Sequence, residues 1–278
     1  MAEDPVAVGV KHAEARAAWD RKPGLRTVYG HLFGKILANL VPGSVLEVGG
    51  GGGRFKEFCP HAVTTDLVRS PYADLVADAQ RLPFADSSFD NIVLFDVLHH
   101  IAVPGLFLSE AGRILKPGGR VLMMEPAITT GSYLFYRFFH PEPLDLLADP
   151  LSRAPLSSDR PYDSNQAIPT LLALKHRERL ITAFPMLRLD MVEWLSALAY
   201  PLSGGLRPWS LLGARAAKQV LAFEDRLAQR IVRHLAFRVM LVLSRRPTSL
   251  AGSSEGAPPL IGWFPERIER AESEVDKA

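Results

Sequence analysis

The sequence predicts an α/β protein built on an open, mostly parallel sheet. Two observations carry this. Between residues 45 and 126, short apolar runs alternate with turn signals and helical periodicity. The first of these runs, Val45–Val48, ends in five consecutive glycines, Gly49 to Gly53. Five glycines cost chain entropy that no core requires, so this loop is where backbone turns tightly and approaches a ligand.

The 278 residues suffice for one large domain with insertions. Apolar residues make up 47% and charged residues 22%, an ordinary globular balance. A net charge of +2, without basic runs interleaved with aromatics, gives no argument for nucleic acid as a partner. The single cysteine, Cys59, excludes an intrachain disulfide or a multi-cysteine metal cluster and fits a reducing compartment. The opening Met1-Ala-Glu-Asp lacks the character of a secretory signal, and no apolar stretch is long enough to span a membrane. A cytoplasmic setting is expected, and oligomeric state is not legible.

In chain order, residues 1–24 are expected to be flexible. Leu25, Val28, Leu32, Ile36 and Leu40 recur at helical spacing, and Pro42-Gly43 ends that helix. After the strand 45–48 and the glycines, a helix begun at 53–58 is cut short by Pro60. Strands follow at 62–66 and 74–78, with only seven residues between them. That is too few for a helical crossover, so a turn near Ser70-Pro71 must suffice. Asn91–Phe95 is the fourth strand, 104–115 a helix stopped by Lys116-Pro117-Gly118-Gly119, and Arg120–Glu125 the fifth strand. A helical stretch at 168–184, a strand at 187–195, a long amphipathic helix through Val220, Phe223, Leu227, Ile231 and Leu235, and a last strand at 236–244 complete the body. Residues 247–278 are read as a linker and a peripheral tail.

The glycine loop discriminates between nucleotide-type ligands. A dinucleotide loop needs Gly-x-Gly-x-x-Gly, but Arg54, Phe55 or Lys56 occupies the third position in every register. No Gly-Lys-Ser/Thr follows, which excludes a P-loop. What fits is Glu47-x-Gly49-x-Gly51-x-Gly53, an acid on the strand followed by alternate glycines. Asp66 lies 19 residues beyond Glu47 at the next strand end, where an acid can accept ribose hydroxyls. A turn or helix-cap aspartate is the plainer reading. Further on, Asp78-Ala79-Gln80-Arg81-Leu82-Pro83-Phe84 runs into Asp86-Ser87-Ser88-Phe89-Asp90, and Phe95-Asp96-Val97-Leu98-His99-His100 follows the fourth strand.

On these residues the chain resembles the class I S-adenosylmethionine-dependent methyltransferases of the type-11 (UbiE-like) group. The resemblance covers residues 43–126 and is most specific at Asp78–Asp90. It implies a Rossmann-like fold, with a seven-stranded, mostly parallel sheet, helices on both faces and a last strand antiparallel to the rest. Helical insertions after strands 5 and 6, at 127–186 and 196–235, would build the acceptor site and its lid. The implied cofactor is S-adenosyl-L-methionine, leaving as S-adenosyl-L-homocysteine. Its contacts would be Glu47, Gly49, Gly51, Gly53, Asp66, Leu67, Asp78, Ala79 and Asp96. His99 and His100 are the candidate catalytic residues, as a general base or as packing beneath the cofactor. Asp96, His99 and His100 could share one helical turn, but that spacing is poor support for a metal, and none is expected.

Glu125 could orient substrate or cap the rim. His140, Glu142, Asp145, Asp163, Asn165, Gln166 and His176 are further polar candidates beside an aromatic cluster (Phe135, Tyr136, Phe138, Phe139). The expected partner is a small, partly apolar acceptor, with O-methylation of a metabolite, lipid-linked sugar or natural product foremost. A non-catalytic S-adenosylmethionine-binding scaffold on the same fold is the alternative.

Overall fold

The computed structural model describes residues 14–139, 142–152 and 165–247. Seven strands form one sheet: β1 (Val45–Val48), β2 (Val63–Asp66), β3 (Leu75–Val76), β4 (Phe89–Phe95), β5 (Leu115–Pro126), β6 (Leu187–Leu195) and β7 (Arg238–Arg245). Their order is β3-β2-β1-β4-β5-β7-β6, with β7 antiparallel to both neighbours and the β3-to-β5 part parallel. The sequence expectation of a seven-stranded, mostly parallel α/β sheet with an antiparallel last strand therefore holds.

The chain leaves β1 toward β2 and β3, then returns to lay β4 on the other side of β1. The ends of β1 and β4 thus form the topological switch point, where an open α/β sheet leaves a crevice. All four residues of β1 are buried, which explains why its pattern is a continuous apolar run and not an alternation.

On one face of the sheet lies α2 (Pro23–Ala38), started by Pro23 in its first turn. Its Leu25, Val28, Tyr29, Leu32, Phe33 and Ile36 meet Val93 and Phe95 of β4, Leu122 and Met124 of β5, and Met240 and Val242 of β7. These strand residues are spaced by two, so their intervening neighbours point to the opposite face. There α3 (Pro104–Ile114) buries Phe107, Leu108 and Ala111. The remaining helices are α4 (Thr130–Phe139), α5 (Ile168–Ala173), α6 (Arg177–Ala183), α7 (Ala199–Ser203), α8 (Ala214–Glu224) and α9 (Gln229–Leu235).

Four expectations need correction. The segment 1–24 is not flexible throughout: residues 14–21 form a helix, α1, and Trp19 is fully buried against Tyr29 and Phe33. The strand at 74–78 shrinks to Leu75–Val76, because Asp78 instead bridges Arg81 in a tight turn. The helical stretch at 168–184 and the long helix expected through Val220 to Leu235 are each broken in two. Lys116–Gly119 does not follow the helix as a separate stop. Leu115 already pairs with Phe89 and Arg120 with Asn91, so the four residues between them bulge out of β5. Residues 1–13, 140–141, 153–164 and 248–278, with His140, Asp163 and the expected tail, lie outside the described residues.

Candidate functional site: the rim at the ends of β1, β2, β4 and β5

The glycine loop leaves β1 with its conformation set by backbone hydrogen bonds. The N–H groups of Gly49 and Gly50 both donate to the Thr65 carbonyl of β2, at 2.8 and 3.0 Å, and that of Gly53 closes on the Gly50 carbonyl at 2.8 Å. Gly49 and Gly53 have φ of +77° and +65°, the left-handed region that a Cβ penalises. A Cβ on Gly49 would stand 2.3 Å from the Val97 side chain, so the loop also needs glycine to pass the β4 rim.

Two acids shape this loop from below. Asp66, 8% exposed, accepts the Gly51 N–H through Oδ2 at 2.7 Å and the Val68 N–H through Oδ1 at 3.0 Å. Glu47 is 4% exposed and receives the Thr64 hydroxyl at 2.9 Å. Burial pushes the Glu47 carboxyl up to about 7, only partly offset by Thr64 and by the positive charge of Arg54. Arg54 itself stacks over Tyr29, and its Nη1 is buried with no hydrogen-bond partner among the described residues. An acid short of a cation therefore shares the loop with a guanidinium nitrogen short of an acceptor.

At the adjoining strand ends, Glu125 of β5 is fully buried and organises the turn after β4. Its Oε1 accepts the N–H groups of Val97 and Leu98 at 3.0 and 2.8 Å, and its Oε2 lies 2.6 Å from His99 Nδ1. On the other side of that ring, Nε2 is 3.5 Å from Glu142. Burial opposes a charge on His99, but the two carboxylates outweigh it and raise the imidazole to about 10. His99 is thus an imidazolium at neutral pH.

His100 behaves in the opposite way. Its ring lies 4.2 Å from that of His99, centroid to centroid, and its Nε2 is 4.0 Å from Glu142. Burial, then the charge of His99, lowers its titration below the ordinary histidine value. The pair expected from the sequence divides into a fixed cation and a neutral, partly exposed base. His99, His100 and Glu142 also stand close enough together to surround a metal ion.

A family model described as "Methyltransferase domain" (Methyltransf_11) matches residues 46–123. A demethylmenaquinone methyltransferase of Beutenbergia cavernae is 33% identical over 95 residues, 34% of this chain and 39% of that protein. A ubiquinone/menaquinone biosynthesis C-methyltransferase UbiE of Dinoroseobacter shibae is 34% identical over 125 residues, 37% of this chain and 50% of that protein. Residues 46–123 thus match a methyltransferase domain of the type-11 family. The chain spans 31%, 39%, 27% and 50% of the length of four such curated relatives. Among solved structures, a geranyl diphosphate C-methyltransferase of Streptomyces coelicolor aligns with a TM-score of 0.45 and 13% identity, over 78% of this chain and 80% of that one.

Within this matched region the other expected residues take varied places. Asp78 sits in the tight turn and accepts the Gln80 N–H at 2.8 Å, with Ala79 between them. Leu67 is 40% exposed just beyond Asp66. Asp96 has a φ of +58°, and both its oxygens are held by the Arg238 guanidinium, which stacks 4.0 Å over Tyr200. Arg238, the first residue of β7, thereby fixes Asp96 at the end of β4.

The sequence assigns no role in the site to Arg54, Ser70 or Arg238. Ser70 donates to the Gly51 carbonyl at 2.6 Å, fixing the middle of the loop. The signal for Arg238 was present: an arginine opening an apolar strand must find a buried acid.

Proposed function

We propose that the protein transfers a methyl group from S-adenosylmethionine to a small, partly apolar acceptor bearing an acidic hydroxyl on a conjugated ring. The observation that carries this reading is the shared rim, with the glycine cradle on one side and neutral His100 beside Glu142 on the other. The cradle suits the donor. An amino acid end presents an ammonium for Glu47, which burial leaves short of a cation, and a carboxylate for Arg54 Nη1. In this reading Asp66 takes the ribose hydroxyls, and Leu67, Asp78 and Ala79 border the adenine. The Gly49, Gly51 and Gly53 backbone comes close to the rest.

Bound there, the donor supplies an electrophilic methyl on sulfur. The chain's task is to align the acceptor and receive its proton in a dry site. His100 Nε2 accepts the hydroxyl proton, and Glu142 stabilises the imidazolium that results. His99, already charged and clamped by Glu125, keeps His100 neutral until that moment. A deprotonated phenol or enol is nucleophilic at oxygen and at the conjugated ring carbon. O-methylation and C-methylation therefore begin with the same base; in C-methylation the methylated ring carbon then releases its own proton while the oxygen regains one. The names of the curated relatives, a demethylmenaquinone methyltransferase and a C-methyltransferase, support the carbon.

The test uses methyl-labelled donor with a panel of phenols and short-chain quinols, each product located by mass and proton NMR. His100→Ala is expected to lower kcat by about 10²–10⁴-fold while S-adenosylhomocysteine binds as before. Turnover indifferent to His100→Ala removes the base. Binding without turnover on any acceptor favours the scaffold, and no binding at all removes the reading.

A further inference from the structure

Two helices beside this rim carry an outward surface that the methyl-transfer reading does not use. On α4, Leu134 and Phe138 are 61% and 70% exposed, one turn apart, with Arg137 beside them. On α9, Ile231 and Leu235 are 47% and 44% exposed, again one turn apart, among Arg230, Arg233 and His234. The helices touch where a Cβ on Gly131 would stand 3.0 Å from the Leu235 Cα, so the two apolar stripes are neighbours. Neither helix contains an acidic residue.

Read as sequence, the stretch 216–235 mixes acids with bases, which argues against a lipid surface. The fold removes that objection. Glu224 is 7% exposed and turned inward, where it accepts the N–H groups of Leu198 and Ala199. Asp225 faces α2, 3.3 Å from His31 and 3.5 Å from Lys35. Phe223, Arg226, Arg230, Ile231, Arg233 and Leu235 remain outward. Among the described residues no carboxylate pairs with Arg137, Arg226, Arg230 or Arg233.

We propose that the α4–α9 face docks the protein on an anionic lipid bilayer. Exposed leucine, isoleucine and phenylalanine gain by entering the acyl boundary, while arginines gain from lipid phosphates. Each set covers what the other leaves unsatisfied. A nucleic acid would answer the arginines alone and leave the apolar stripes in water. The docking needs no bound methyl donor, so its failure leaves the proposed activity untouched.

The full chain is sedimented with phosphatidylcholine vesicles, with and without phosphatidylglycerol, across a salt series. Binding is expected only with the anionic lipid, weakening as salt rises. Arg230→Ser with Arg233→Ser should weaken partition about thirtyfold. Leu134→Ser with Phe138→Ser should weaken it too but keep the salt dependence, with circular dichroism confirming both folds. No partition, unaltered partition of either variant, displacement by RNA, or light scattering showing a dimer through this face overturns the proposal.

Discussion

At Glu47 a carboxyl lies almost wholly out of water with one hydroxyl for company, and titrates near 7 instead of 4.5. In the proposed placement of the donor its ammonium favours the carboxylate, so binding the donor or its product should expel a proton near neutrality. Affinity for S-adenosylhomocysteine should therefore rise between about pH 6 and pH 8. Glu47→Gln should flatten that rise and lower affinity at the upper end by roughly ten- to a hundredfold, the worth of a charged hydrogen bond. Calorimetry in buffers of different ionisation heat reads both the affinity and the released proton; a wild-type profile flat with pH would contradict the role. His100 gives the second prediction at this scale. Its titration lies below the ordinary 6.5, because burial and the His99 charge both disfavour protonation. The acid limb of the kcat profile should accordingly fall below the usual histidine range. His99→Gln, by removing the neighbouring charge, should move that limb upward.

At the scale of elements, Glu125 joins the end of β5 to the turn after β4 through three donors. Removing it strands an imidazolium and two backbone N–H groups in a dry rim. Glu125→Ala should cost about 3–5 kcal/mol, seen as a lower urea midpoint at unchanged slope. Glu125→Gln, which keeps an acceptor for the backbone, should cost less. The same elements show what the sequence could reveal. β1, α2, β4 and α3 were legible because burial periodicity and Pro/Gly punctuation are local properties. The break between α8 and α9 was not. Apolar spacing runs unbroken through Phe223, Leu227 and Ile231, while Glu224 is drawn to the α7 N–H groups and Gln229 to the Trp194 backbone of β6. α1 stayed hidden because its pattern is short and its anchor, Trp19, is explained only by the aromatic rings of α2. In the site, the glycine loop, Asp66 and both histidines were named from the chain, but Glu142 was one of several polar candidates and Arg54 was seen only as a failed glycine. Their roles depend on which residues the fold brings to the rim.

For the whole molecule, the buried groups set how stability varies with pH. The fold holds Glu47 as the neutral acid, raising it from 4.5 to about 7. Its contribution is complete below 4.5 and is lost as pH climbs through 7. His99 is held as the cation, raised from 6.5 to about 10, so its contribution is complete below 6.5 and is lost as pH climbs through 10. Asp90 works the other way. The Lys116 ammonium and the Ser44 N–H and hydroxyl lower it from 3.8 to about 2, so its contribution is present above 3.8 and is lost as pH falls toward 2. The three windows leave a maximum on the mildly acidic side of neutrality, near pH 4–5, with a long decline through neutral into alkaline solution. Urea midpoints measured across that range should fall steadily above the maximum. His99→Gln should remove the decline between 6.5 and 10 and leave the earlier part in place. Saturating S-adenosylhomocysteine should recover the part due to Glu47, since its ammonium would neutralise the carboxylate that the fold alone penalises. Midpoints that rise from acid to alkaline solution would mean that neither buried group is held in the protonation state its surroundings favour.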